Sequence, residues 1–133
     1  MLPPDARLRR PSDFSDVMRR GPGRGRGAAP ALVVHARLLP AEPADAPSPL
    51  PPVRVGFAVP KAVGGAVVRN LVRRRLRELS RQRLPGWPPG ASLVVRALPP
   101  AAGAGWDELG AQLDAAAGAA LRRASVPRGA GVP

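Results

Sequence analysis

"VRVGFAVPKAVGGAVVRNLVRRRLREL", residues 53–79, changes its hydrophobic period partway along. Val53, Val55, Phe57 and Val59 alternate with Arg54, Gly56 and Ala58, the period of two that marks a strand with one buried face. After "PKAVGG", Val68, Leu71, Val72, Leu76 and Leu79 recur at spacings of three and four, a core-facing helical stripe. The helix should begin near Gly64 or Gly65 and end around Leu84, where "PGWPPG" stops it. A second stripe, Arg69, Arg73, Arg77 and Arg81, recurs at four. Residues 66–83 hold seven arginines against one acid, Glu78. Like charges at that spacing repel, so the helix is built to meet an anion, and guanidinium forks suit phosphate.

The neighbouring segments complete the pattern. "ASLVVRAL", residues 91–98, is a strand. "WDELGAQLDAAAGAALRR", residues 106–123, is a closing helix with Trp106, Leu109, Leu113, Ala117, Ala120 and Leu121 turned inward. Upstream, "PAEPADAPSPLPP", residues 40–52, is an exposed connection, because proline cannot donate to a ladder. "ALVVHARLL", residues 31–39, is a strand with Leu32, Val34, Ala36 and Leu38 on one face and Val33, His35, Arg37 and Leu39 on the other. "GPGRGRGAAP", residues 21–30, is a loop or a weak edge strand, with a flexible loop preferred to an RNA-binding arginine–glycine module. "SDFSDVMRR", residues 12–20, is a short helix with Ser12 as N-cap, Asp13 and Asp16 near its start, Arg19 and Arg20 at its end, and Gly21 as terminator. The result is one α+β domain, residues 1–123, with a single sheet and a disordered tail at 124–133.

Composition narrows the function. The 133 residues carry 21 basic and 9 acidic side chains, a net charge of +12 and a pI near 12.0. Nucleic acid is therefore the first partner to consider and a membrane surface the second. No apolar run approaches the roughly 18 residues of a membrane span, and the first residues lack the apolar core of a signal peptide, so a cytoplasmic protein is expected. There is no cysteine and one histidine, which argues against a protein-held metal. The nine acids form no carboxylate pair of the kind a hydrolase or two-metal nuclease needs. "VGGAVVRN" lacks the Gly-Lys-Ser/Thr ending of a phosphate loop. His35 reads equally as a half-buried strand residue or an RNA contact. Arginine supplies every basic position except Lys61, a bias consistent with GC-rich codons.

"RVGFAVPKAVGGAVVRNLVRRRLRE", residues 54–78, resembles the signature region of the bacterial ribonuclease P protein subunit. Arg69, Asn70, Arg73, Arg74, Arg77 and Glu78 match its basic motif, and Arg54, Gly56, Phe57 and Lys61 match the strand and turn before it. "RLRRPSDFSDVMRRG", residues 7–21, is similar to the family's first helix, and "SLVVRA" to its last strand. Leu71 stands where the motif has its second arginine, Ala62 and Gly65 where lysines are common, and Met18 where an aromatic is frequent.

The resemblance implies the ribosomal-protein S5 domain 2 type of fold, ordered α-β-β-β-α-β-α with a left-handed crossover. It also implies a two-part enzyme that removes the 5′ leader of precursor tRNA, in which an RNA subunit with bound Mg²⁺ performs the hydrolysis. The protein would then carry no catalytic residue and no metal of its own. Lys61, Arg69, Asn70, Arg73, Arg74 and Arg77 would bind the ribonuclease P RNA. A cleft of Phe14, Met18, Val33, His35 and Arg37 would bind the precursor tRNA leader, with Arg96 as a further contributor. No protein partner and no membrane would be required. The alternative is a non-enzymatic RNA-binding protein such as a ribosomal or assembly factor.

Overall fold

The computed structural model describes residues 6–39 and 50–125. Most of the 40–52 connection and residues 126–133 of the expected tail lie outside them. The elements are α1 (Pro11–Met18), β1 (Arg24–Ala28), β2 (Leu32–Leu38), β3 (Arg54–Ala58), α2 (Ala66–Arg83), β4 (Ala91–Ala97) and α3 (Trp106–Ala124), with a 3₁₀ turn at Lys61–Val63 before α2. One four-stranded mixed sheet runs β1-β2-β4-β3. β1 pairs antiparallel with β2 and β2 with β4, while β3 lies parallel to β4 and reaches it through α2. Parallel neighbours require such a long connection.

The pleat sorts the sheet into two faces. Leu32, Val34, Ala36, Val55, Leu93, Val95 and Ala97 point to the side where Val72, Leu76 and Leu79 of α2 meet Leu109, Leu113, Ala116, Ala117 and Ala120 of α3. This is the main core, and each fully buried leucine or valine contributes about 1.5–3 kcal/mol. The opposite face carries a smaller cluster in which Leu8, Val17 and Val94 are buried and Phe14 and Met18 pack on them. An eight-residue helix is not stable alone in water, so α1 depends on this cluster and on Asp16. The Asp16 carboxylate accepts from Arg19 and Arg24 at 2.7 Å each and pairs with Arg37, and the Asp16 carbonyl accepts from Arg24 Nε at 2.8 Å. One carboxylate thus ties α1 to both β1 and β2.

Several sequence expectations change, and one open alternative is settled. Ser12 is not the N-cap of α1: Arg10 is, and Pro11 takes the first helical position, where its missing N–H costs nothing. Residues 24–28, read as a loop or a weak edge strand, form the edge strand β1. Its glycines face α3, where a β-carbon on Gly25 would lie 2.1 Å from the Ala120 carbonyl oxygen and one on Gly27 2.0 Å from that of Ala116. Glycine is there because a helix backbone rests directly on the strand. Trp106 is not turned inward but is 39% exposed at the first turn of α3, and Leu71 is half-buried outside the core cluster. At the C-terminal end, Ala124 is buried as the last residue of α3 and so is part of the domain.

Candidate nucleic-acid interface

The seven arginines of α2 divide into two groups. Arg83 anchors the helix to α3, donating from Nε to Asp114 at 2.5 Å and from Nη1 to its own Leu79 carbonyl at 2.9 Å. Arg75 donates to the Ala104 carbonyl at 3.2 Å, and Arg81 pairs with Glu78. That pairing holds the Glu78 carboxyl at about 2, well below its ordinary value. Arg69, Arg73, Arg74 and Arg77 make no hydrogen bond or ion pair with the described residues. Arg69 Nε is in addition buried without a partner, an arrangement that leaves a guanidinium donor unsatisfied.

Two of these unpaired arginines, Arg73 and Arg77, lie on the side of α2 nearest β3. Arg73 and Arg77 line a groove of about 350 Å³ together with Arg7, Leu8, Arg9, Phe14, Gly56 and Phe57. The crowding is electrostatically unfavourable: burial, then Arg73 and Arg7, push the Arg77 pKa down. An anion in the groove would relieve that. Asn70 and Lys61 are exposed, with Lys61 in the 3₁₀ turn ahead of the helix. Val67, in the first turn of α2, is 84% exposed.

A second cleft, of about 400 Å³, opens where the end of α1 overhangs the sheet. Met18, Arg19, Arg20 and Gly21 form one wall, and Arg24, Arg26, His35 and Arg96 form the other and the floor. Strand register explains the floor: Arg26 lies opposite His35 on β2, which lies opposite Val94 on β4, two residues before Arg96. Burial first, then Arg26 and Arg96, lower the His35 pKa, so the ring is neutral at pH 7, and its Nε2 is buried without a partner. The cleft is therefore a mixture of arginine charge, a thioether and an imidazole, a surface suited to a single strand of nucleic acid.

Of the residues expected in a leader cleft, Met18 and His35 come together here. Val33 is buried in β2 opposite Arg96. Arg37 is bound to Asp16 beneath α1. Phe14 lies against Gly56 of β3 and lines the α2-side groove. Arg20 and Arg26 were not among the expected residues; the turn after α1 and a glycine-rich edge strand bring them in, and the paired basic residues in "MRRG" and "GRGRG" are the only sequence signal of it. Among the described residues no three of His, Asp or Glu gather as a metal site, and no helix is long and apolar enough to cross a membrane.

Comparison with known proteins gives a consistent result. The family model for ribonuclease P matches residues 2–121. The chain is 53% identical over 116 residues to the ribonuclease P protein component of Streptomyces avermitilis, covering 87% of this chain and 92% of that one. It is 49% identical over 139 residues to that of Salinispora tropica, covering 97% of each. Two solved structures share the fold at lower identity. The ribonuclease P protein of Thermotoga maritima matches with a TM-score of 0.65 at 21% identity, over 87% of this chain and 96% of that one. The Staphylococcus aureus protein matches at 0.64 and 20%, over 85% and 93%.

Proposed function

Because the chain belongs to the ribonuclease P protein family, we propose that it serves as the protein subunit of that tRNA-processing ribonucleoprotein, binding its RNA subunit and the 5′ leader of precursor tRNA. The observation that carries the division of labour is the sorting of the α2 arginines. Three are bound within the protein, and four are held out with no protein partner among the described residues. We assign Arg69, Arg73, Arg74 and Arg77, with Lys61 and Asn70, to the RNA subunit. Contacts of this kind fix position on phosphate and carry little sequence preference. The cleft of Met18, His35, Arg20, Arg26 and Arg96 is assigned to the leader. Val33 and Arg37 support it from within the sheet, and Phe14 secures α1 against β3.

On the same family reading we place the metal of the phosphodiester hydrolysis, Mg²⁺, on the RNA subunit. The protein's part is to lower the Mg²⁺ requirement by supplying cations at the RNA surface and to hold the leader in line. The parallel β3–α2–β4 unit joined to an antiparallel β1-β2-β4 sheet supports the ribosomal-protein S5 domain 2 type of arrangement, and the left-handed crossover is part of that same family reading. A cytoplasmic site of action, with no further protein partner, follows from the same reading. The test is reconstitution with a bacterial ribonuclease P RNA at low Mg²⁺, following cleavage of a precursor tRNA. The chain should stimulate it, and stimulation should fall when Arg69 and Arg73 are replaced together by alanine. A chain that binds the RNA without stimulating cleavage would return the protein to the class of non-enzymatic RNA-binding factors.

A further inference from the structure

The leader cleft does not end at the sheet. Arg24, Gly25 and Arg26 line it and also line a second groove of about 410 Å³ with Ala28 and Arg123, on the outer side of β1. The two grooves are continuous through Arg26, and no carboxylate lines either of them. Arg24 is engaged by Asp16, so the cations available in the second groove are Arg26 and Arg123. Arg123 is held in place by donating from Nη1 to the Arg26 carbonyl, which leaves its remaining N–H groups directed to the groove.

The strand edge adds donors. Leu38 N–H donates to Gly23 at 2.7 Å and Ala29 N–H to Leu32 at 2.8 Å. Residues 23, 25, 27 and 29 therefore turn their backbone groups to β2, and Arg26 and Ala28 turn their N–H groups outward. Phosphate oxygens accept from arginine and from backbone N–H alike. α2, with the arginines assigned to the RNA subunit, packs beside β3, at the opposite edge of the sheet. A leader that enters from the catalytic RNA and crosses the cleft must leave over β1.

We propose that the outer edge of β1, with Arg123 of α3, is a second single-strand RNA track that binds the sugar–phosphate backbone of leader nucleotides upstream of those in the cleft. The proposal rests on the assignment of the cleft to the leader. Recognition on the track is through phosphate, so it is indifferent to sequence and grows with leader length. A single phosphate contact to single-stranded RNA changes log K by about 0.7 per decade of salt, which is about fourfold in affinity near 0.15 M.

The experiment measures binding of the reconstituted holoenzyme to precursor tRNAs with leaders of one, about 5 and about 15 nucleotides, lengths that bracket the span of a single-strand site. It uses the intact protein, Arg123→Gln and Ala28→Glu, the second adding an acid to the groove while removing no cation. Wild type should gain affinity at both steps of length. Both variants should keep the first gain and lose about fourfold of the second, with unchanged melting temperatures. If wild type shows the first gain but not the second, or if neither variant alters the second, the track is refuted and the cleft stands. If wild type shows no gain from one to 5 nucleotides, the leader assignment itself fails. A loss that is equal at all lengths would place Arg123 against the catalytic RNA or the tRNA body, and would overturn the track.

Discussion

Gly56 of β3 lies so close beneath Phe14 of α1 that a β-carbon on it would sit 2.4 Å from the ring's Cζ. The contact fixes how α1 docks, and with it the wall of the cleft proposed for the leader. Gly56→Ala should destabilise the fold by about 1–3 kcal/mol through overpacking. In a Phe14→Leu background the same change should cost clearly less, because the ring is what the methyl group meets. Chemical denaturation of the four proteins in the cycle measures this. Additive costs would show that the ring is free to move aside. A selective loss of long-leader affinity in Phe14→Leu at an unchanged melting temperature would put the ring in the cleft instead.

The arginines of α2 should separate by assay. Arg73→Ala and Arg74→Ala should leave the melting temperature within a degree or two and flatten the dependence of log K on log salt by just under ~1 each. Arg83→Ala should behave oppositely. It removes the donors to Asp114, Leu79 and Gly110, and should lower stability by about 1–2 kcal/mol while the salt slope stays nearly constant. A salt slope that falls equally in all three variants would dissolve the division between anchoring and RNA-facing arginines.

Much of the fold is legible in the sequence, for a physical reason. The 53–79 segment carries two clean periods, and period is what a half-buried strand or helix must obey, so β3 and α2 were readable to within a residue or two. Glycine signals are ambiguous by nature. In "GPGRGRG" the same residues that suit a flexible loop also suit a strand that a helix backbone touches, and nothing local distinguishes them. The partner is α3, some ninety residues away, whose Ala116 and Ala120 complete the close approach. The cleft was half legible for the same reason. Met18 and His35 lie on elements with clear patterns, whereas Arg20 and Arg26 arrive through a turn and that unreadable strand. The fate of Arg37 depended on an ion pair with Asp16 across 21 positions, and charge pairing over that span leaves no periodic trace.

Acid should loosen α1. Burial raises the Asp16 pKa, but Arg37, Arg24 and Arg19 together outweigh it and hold the carboxyl below its ordinary 3.8. A group with a depressed folded pKa contributes stability that is complete above its unfolded pKa and is lost as pH falls through the folded value. Wild-type stability should therefore decline below about pH 4 partly through this residue. Asp16→Asn should be less stable at pH 7 and should lose less on going to pH 3. Parallel pH profiles for the two proteins would mean that the three arginines do not hold the carboxylate in solution.

Cleft binding should respond to pH through His35. With its pKa lowered by burial and by Arg26 and Arg96, the ring is neutral at pH 7, and a leader phosphate nearby would favour the protonated form. Long-leader affinity should then rise as pH falls toward and below the ordinary histidine value of 6.5, since the lowered pKa moves proton uptake to the acid side of it, and His35→Gln should flatten that rise. If the pH dependence survives the substitution, the proton is taken up elsewhere and His35 only fills the strand.

The glycines of β1 offer the sharpest test of the fold. Gly27 sits under α3 with no room for a methyl group, since the Ala116 carbonyl oxygen would be 2.0 Å from it, and this neighbour is helix backbone with no rotamer to adopt. Gly27→Ala must therefore push α3 off the sheet and strain the contacts of Leu113 and Ala117 in the main core, at a cost of about 1–3 kcal/mol or more. Ala28→Ser, on the exposed side of the same strand, should cost less than about 0.5 kcal/mol. The effect should also reach function by a defined route. Shifting α3 moves Arg123 away from the Arg26 carbonyl, so Gly27→Ala should weaken binding of long leaders more than of short ones at a temperature where it remains folded. RNA-subunit affinity, which depends on α2, should change little. A Gly27→Ala protein as stable as wild type would mean that residues 24–28 are not held beneath α3, and both the edge strand and the groove beside it would have to be abandoned.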